Sequence, residues 1–493
     1  MIKIMPKGIG KLYYIQMAIT FSYAVIYSSL SLYLTKKIGF SVDFSAKTIG
    51  LFLAFNYTIQ LLSGYISGRF LSNRSLMVIS IVCQIIGFYL LSLNNNFTLY
   101  LGLCFFVIGC GINSTCYQCI LVSRFGNDKL DSKKRESASF ISYCFMNIGF
   151  LLGFTISGHY EAISNYNNIF IIGNVFNVIA IMLIYSNWDN IKDTDTVLST
   201  ICNDRLWKKR VIGVTCLLLC IPTMMIGFKF PTLSSSFVVL VGLAMFVYMY
   251  FKARSYSDIN IKKNIYSFIT LSLASVVFWM IYFVGPMSVS VFVKYNTDTH
   301  IWGYDIQPQW FNNINAAITI CGAPLLAYVY QQLGKRRINV SETISFSIAI
   351  LLISFSFFSL SEGVNHSMSN GMVASSWVVI HYVLQSAGEL FIGPIGFAMV
   401  GRLAPPNLRG LMMGIFMISS GISASLASYF SSFIKVPATN TPDLTNSVYQ
   451  STFFKLGETG IVMAVILLTV SIVIYKTNKR ASLKLNLDDK HGL

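Results

Sequence analysis

Apolar runs of about 20 residues recur along the whole of this chain. Each is long enough to cross the hydrocarbon core of a bilayer as a helix. Lipid offers no partner to a free backbone N–H or C=O, so runs of this length fold as helices that satisfy their own hydrogen bonds. The sequence therefore specifies an all-α membrane protein. Composition agrees: 54% of residues are apolar and 11% are charged, against about 25% charged in a soluble domain. The first run, from about Leu12 to Leu34, is longer than a signal-peptide core and lacks a small-residue cleavage site, so it is expected to be retained.

Fourteen spans are read, bounded to within several residues. Six lie at about 12–34, 47–71, 75–95, 99–123, 138–159 and 168–186. Two follow at about 211–228 and 231–252, and six more at about 265–293, 309–333, 340–361, 372–398, 408–433 and 457–476. This predicts an N-terminal six-helix bundle over 1–186, linkers and an inserted transmembrane hairpin over 187–264, a C-terminal six-helix bundle over 265–476 and a cytoplasmic tail over 477–493. Two six-helix halves around an inserted hairpin resemble the major facilitator fold, whose halves rock about a site near the bilayer midplane. The stretch Gly64-Tyr-Ile-Ser-Gly68-Arg69 with Asn73-Arg74 resembles that fold's loop between its second and third helices, although Gly68 stands where an acid is usual. Gly109-Cys-Gly111, Gly285-Pro286, Gly322-Ala-Pro324 and Gly393-Pro394 mark close packing or bends.

The net charge of +17 is explained by position. Basic residues gather in alternate loops: Arg69 and Arg74; Lys129, Lys133, Lys134 and Arg135; Arg205 and Lys208 to Arg210; Lys252, Arg254, Lys262 and Lys263; Lys335 to Arg337; Arg402 and Arg409; Lys476, Lys479 and Arg480. This positive-inside pattern puts both termini in the cytoplasm, with Lys36 and Lys37 as exceptions, and argues against a nucleic-acid partner. Lys208 to Arg210 suit anionic membrane lipid. Lys294 is expected to snorkel to the interface, and Arg402 and Arg409 to fix topology. Cys116 and Cys119 form a C-x-x-C inside an apolar span, which reads as packed thiols. No metal site, cofactor or nucleotide-binding loop is expected, and no cluster of catalytic spacing points to an enzyme. The residue bias fits a bacterial inner membrane.

One acid lies deep within a span: Glu389, in Trp377-Val-Val-Ile-His381-Tyr-Val-Leu-Gln-Ser386-Ala-Gly388-Glu389-Leu-Phe-Ile-Gly-Pro394. An ionisable group at that depth costs several kcal/mol, so it normally faces a cavity, a partner or a substrate. His381, eight residues earlier and about 12 Å along the helix, is expected on nearly the same face, where the pair could relay a proton; a packed histidine is the alternative. Asn147 and Asn315 are polar residues in apolar spans, suited to a site or to helix–helix hydrogen bonds. Tyr23, Tyr27 and Tyr57 are candidate cavity-lining aromatics with polar tips.

From about Tyr13 to the last span the chain resembles the proton-dependent oligopeptide transporter family. Three stretches carry the resemblance. They are Gln385-Ser-Ala-Gly-Glu389 through Arg402 and Pro405 to Gly414; Phe278-Trp-Met-Ile-Tyr282 with Pro286-Met-Ser288; and Phe311-Asn-Asn-Ile-Asn315 with Ala323-Pro324-Leu-Leu-Ala327. The resemblance implies that Glu389 binds a peptide's amino terminus, that Asn147 and Asn315 contact the peptide, and that Tyr23 and Tyr57 line the pocket. Proton-coupled uptake by alternating access is the implied activity.

The chain departs from the family at its charges. The first-helix motif Glu-x-x-Glu-Arg-Phe-x-Tyr-Tyr reads here Gln16-Met-Ala-Ile19-Thr20-Phe21-Ser-Tyr23-Ala24. The fourth-helix lysine falls on Ser114, the seventh-helix polar position on Val284 and the eleventh-helix aromatic on Phe416. Joint loss of buried charges is easier to tolerate than loss of one partner. The pocket is expected to be less basic than the family norm, with recognition of a free carboxylate weakened and that of an amine kept. The expected function is uptake of di- or tripeptides or similar small amines. The alternatives are a non-coupled facilitator of a non-peptide amine and a non-transporting membrane sensor on the same scaffold.

Overall fold

The computed structural model describes residues 6–125, 129–193, 198, 203–301, 303–336, 341–405, 408–432 and 442–491. Arg337 lies outside these, as do the side chains of Lys129, Lys133, Arg205, Ala327, Pro394, Arg409, Lys476, Lys479 and Arg480.

Helices α1 (Ile9–Leu32), α2 (Val42–Ile66), α3 (Asn73–Ser92), α4 (Asn96–Ser123), α5 (Lys129–Ala162) and α6 (Tyr166–Ser186) form the first bundle. Helices α7 (Asn203–Lys229) and α8 (Pro231–Arg254) form the hairpin. The second bundle contains α9 (Ile259–Val284), which continues through a π-helical turn, Gly285–Val289, into α10 (Ser290–Asn296). It is completed by α11 (Pro308–Lys335), α12 (Glu342–Asn365), α13 (Ser375–Leu403), α14 (Arg409–Ser432) and α15 (Pro442–His491). Polar side chains start these helices by accepting free N–H groups of the first turn: Ser41 from Phe44, Ser72 from Ser75, Asn95 from Phe97, Asp258 from Asn260 and Ser341 from Ile344.

The last helix extends beyond the expected span at both ends. Helix α15 begins at Pro442, well before the expected 457, because its first turns are polar yet packed. Asn296 Nδ2 donates to Thr445 Oγ1 at 2.6 Å and to Asn446 Oδ1 at 2.8 Å, and Tyr449 and Phe453 are fully buried beyond them. The segment expected as a tail continues the same helix to His491.

Within the first bundle, α1 packs on α5 and α6, and α4 on α2 and α3. Within the second, α12 packs on α13 and α15, and α9 on α12, α13 and α14. The bundles meet along α2 with α14 and α5 with α11. Gly50 permits the first contact: a Cβ there would lie 2.5 Å from Ser428 Cβ and 2.8 Å from the Ala424 carbonyl oxygen. The hairpin bridges both halves, α7 against α2 and α4, α8 against α2, α9 and α14.

Polar contacts also join the bundles on the face away from the termini. Ser31 Oγ donates to the Met287 carbonyl at 2.9 Å, within the π-helical turn that Pro286 opens by removing a backbone donor. Trp310 Nε1 donates to the Thr155 carbonyl and Asn313 Nδ2 to Thr155 Oγ1, both at 3.0 Å. Lys36 lies here too, on a second π-helical turn, Tyr33–Lys37. Its Nζ is 2.8 Å from Oε1 of Glu161, whose side chain is fully buried, and 6.0 Å from the ring centre of Tyr295 in the other bundle. Lys294 does not simply snorkel: it donates to Gln307 Oε1 at 2.8 Å and stands beside Lys36. One buried carboxylate thus accounts for a lysine that breaks the positive-inside pattern, held at the seam between the bundles.

Removing one partner of a buried ion pair strands the other charge. Glu161→Gln leaves Lys36 facing Lys294 of the other bundle without its counter-charge; since Lys36 stays partly exposed, the cost is expected to be about 2 kcal/mol, below the full penalty for a wholly buried pair. Spin labels at Lys37 and Tyr304 should then report a longer distance distribution than in the parent. An unchanged distribution would show that the pair does not hold this face together.

Candidate substrate-binding site

Glu389 is fixed by its neighbour. A Cβ at Gly388 would lie 2.9 Å from the Ala349 carbonyl oxygen and 3.2 Å from the Phe278 ring, so α13 is pressed against α12 and α9 at this level. That contact leaves Glu389 facing α11 and the rest of α9. Asn315 Nδ2 donates to Glu389 Oε2 at 2.7 Å. The Tyr282 hydroxyl donates to the same carboxylate. The 2.7 Å length of the Asn315 bond is that of a strong hydrogen bond to a carboxylate.

The first bundle supplies the opposite wall. Tyr27 on α1, Tyr57 on α2 and Tyr143 on α5 lie within electrostatic range of Glu389. Tyr23 stacks toward Tyr27 at 5.7 Å between ring centres and sits near Tyr57 and Cys110. The ring of Tyr57 is 6.0 Å from that of Phe283 on α9, a contact across the two bundles. The structure therefore gathers Glu389, Asn315, Tyr23, Tyr27 and Tyr57 about one space between the halves. Ser114 is exposed one turn from Cys110 on the same face of α4.

Asn147 plays an indirect part. It is buried, its Nδ2 donates to the Tyr143 carbonyl at 2.9 Å, and its side chain also hydrogen-bonds the Tyr143 side chain. It orients the tyrosine that faces Glu389. Tyr143 and Tyr282 were not singled out in the sequence as site residues. Tyr143 carries a usable signal, because four residues before Asn147 puts it on the same helix face. At the altered first-helix motif, Gln16 Nε2 donates to Thr20 Oγ1 at 3.3 Å, a neutral pair where charges stand in the resembled family.

His381 lies elsewhere. It is fully buried, its Nδ1 is 3.1 Å from the Ser356 carbonyl oxygen, and its ring meets Phe357 and Tyr382 at 5.0 and 5.1 Å. Eight residues at 100° each leave it about 80° around the helix from Glu389. The expected shared face, and with it the direct relay, is corrected: His381 points into the α12–α13 interface and Glu389 toward α11. Arg402, expected only to set topology, pairs with Glu342. The acid missing at Gly68 has a counterpart in the linker: Asp193 Oδ2 accepts from the Asn73 N–H at 2.7 Å, at the start of α3.

A carboxylate offers about four lone-pair positions. Asn315 and Tyr282 occupy two, which leaves acceptor capacity for a cationic N–H donor. Among the described residues no cation pairs with Glu389, and no group of three metal-ligating side chains comes together. A hydrogen bond to a charged group is worth about 1.5 kcal/mol or more, so Asn315→Ala should lower ligand affinity about tenfold. Isothermal titration of the purified protein measures this, and an unchanged affinity would exclude Asn315 from positioning the carboxylate.

Comparison with known proteins places this geometry. Residues 74–448 match the family model described as "POT family". "Dipeptide and tripeptide permease B" of Aliivibrio fischeri (strain MJ11) is 26% identical over 482 residues, covering 96% of this chain and 95% of the relative. "Dipeptide and tripeptide permease A" of Pectobacterium carotovorum subsp. carotovorum (strain PC1) is 24% identical over 473 residues, covering 94% and 91%. Two solved structures share the fold with a TM-score of 0.81 and 21% identity. One is a POT family transporter in complex with 5-aminolevulinic acid (95% of this chain, 97% of that one); the other is a POT family transporter in complex with a thioalcohol conjugated peptide (95% and 96%). A match over most of the length, to transporters rather than enzymes, settles the family: this chain is a membrane-spanning member of the POT family.

Proposed function

We propose that this protein takes up di- or tripeptides, or similar small amine-bearing molecules, by alternating access across a bacterial inner membrane, with both termini in the cytoplasm. The reading rests on one observation, the Glu389 carboxylate held by Asn315 and Tyr282 and faced by tyrosines of the other bundle. The printed names of the relatives, dipeptide and tripeptide permeases, support the substrate class. The substrate ammonium pairs with ionised Glu389, Asn315 and Tyr282 hold the carboxylate, and Tyr143, positioned by Asn147, closes the opposite side. Binding shifts the balance of outward- and inward-open states only through a difference in affinity between them.

Proton use follows from the same residue. With Gln16, Ile19, Thr20, Ser114 and Val284 at positions that are charged or polar in the resembled family, and His381 turned away, Glu389 is the group left to carry a proton. One carboxylate cannot hold the ammonium and a proton together. Substrate and proton therefore alternate on Glu389, and an inward proton gradient is not required for substrate to move down its own gradient.

The test is uptake of alanyl-alanine and of a simple primary amine by proteoliposomes, with and without an imposed pH gradient. Losing a charge-assisted contact worth about 2 kcal/mol lowers binding about thirtyfold, so Glu389→Gln should reduce uptake to that extent or more. His381→Asn should leave the pH profile unchanged. Parent-like uptake by Glu389→Gln at both acidic and alkaline pH would overturn the proposal.

A further inference from the structure

The site carries one charge and no counter-charge. The sequence has no lysine or arginine at residues 12–35, 48–68, 75–123, 136–191, 264–293, 308–334, 343–401 or 410–434. These stretches hold the middle of every bundle span except that of α15. There Lys455 is exposed, on a helix that packs against α12 and α9. The groups gathered with Glu389 are Asn315, Tyr282, Tyr143, Tyr27 and Tyr57, all neutral. Two first-bundle positions that are charged in the resembled family are neutral here: Thr20 is engaged by Gln16, and Ser114 is an exposed hydroxyl on the Cys110 face of α4.

We propose that this central site selects monopolar cations, molecules with one ammonium group and no carboxylate, over zwitterionic peptides. Amides and esters of short peptides and simple arylalkyl amines belong to this class. The proposal rests on the reading that Glu389 takes the ammonium. A monocation on ionised Glu389 brings the local charge to zero. A zwitterion leaves a second carboxylate in the same space, repelled by the first and offered only hydroxyl and amide donors. An unpaired charge in a poorly solvated site is costly. A neutral amide end instead presents a carbonyl that tyrosine hydroxyls can donate to. The tyrosine walls also favour cations over their faces.

The experiment follows ligand-induced thermal stabilisation of the purified full chain. Its probes are alanyl-phenylalanine, alanyl-phenylalanine amide and N-acetyl-alanyl-phenylalanine. The amide should stabilise at a concentration at least tenfold lower than the free dipeptide, and the N-acetyl form should not stabilise at all. Ser114→Lys, which places a cation on the cavity wall, should move the ratio of the first two at least tenfold toward the free dipeptide. A free dipeptide that binds as well as or better than its amide would overturn the monopolar proposal, while exclusion of the N-acetyl form would leave the amine reading standing. Equal response to all three probes, or to none, would overturn both. A Ser114→Lys variant that melts cooperatively with the parent's ratio would show that the missing cation is not what sets the preference.

Discussion

The charge of Glu389 is the interaction on which the rest of this structure depends. A carboxylate at mid-depth in a membrane protein is tolerated only where other groups replace the water it has lost. Asn315 and Tyr282 do so from two helices of the same bundle, at positions fixed by the packing of α13 against α12 and α9 at Gly388. The second bundle thus holds the charge, and the first bundle presents the tyrosine wall that faces it. Because the two walls belong to bodies that meet chiefly along α2 with α14 and α5 with α11, relative movement of the bundles would change what surrounds the carboxylate.

The far face follows the same logic of buried charge with a different outcome. There Glu161 is matched by Lys36, and Lys294 by a neutral amide, Gln307. Each of these side chains has a partner within the protein, so they serve contact between elements. In the central space, among the described residues, Glu389 has no cationic partner, the feature on which the proposed binding role rests. The inserted hairpin touches both bundles but contributes none of the groups gathered at Glu389.

Much of this was legible in the sequence, and the reasons differ by feature. The spans are readable because lipid forces backbone satisfaction within each segment, so apolar length alone marks them. Glu389 stands out because it is an acid where almost every neighbour is apolar. The start of α15 was obscured because hydropathy does not see that Thr445 and Asn446 are partnered by Asn296, about 150 residues away in sequence. Lys36 looked like an exception because its partner, Glu161, is supplied by another helix. His381 was misplaced by a periodicity that closes after seven residues and not after eight. Tyr143 and Tyr282 were hidden among 27 tyrosines, where only tertiary proximity to Glu389 sets them apart. The acid absent at Gly68 returned from a linker, as Asp193, and no local pattern announces such a substitution.

The most direct measurement is an experimental structure of the protein saturated with a primary-amine ligand, at a resolution that places the ligand nitrogen. The account predicts that nitrogen at about 2.8 Å from a Glu389 oxygen, with Asn315 still donating to the same carboxylate. A ligand whose nitrogen sits against the aromatic wall, with Glu389 contacting only protein, would contradict it.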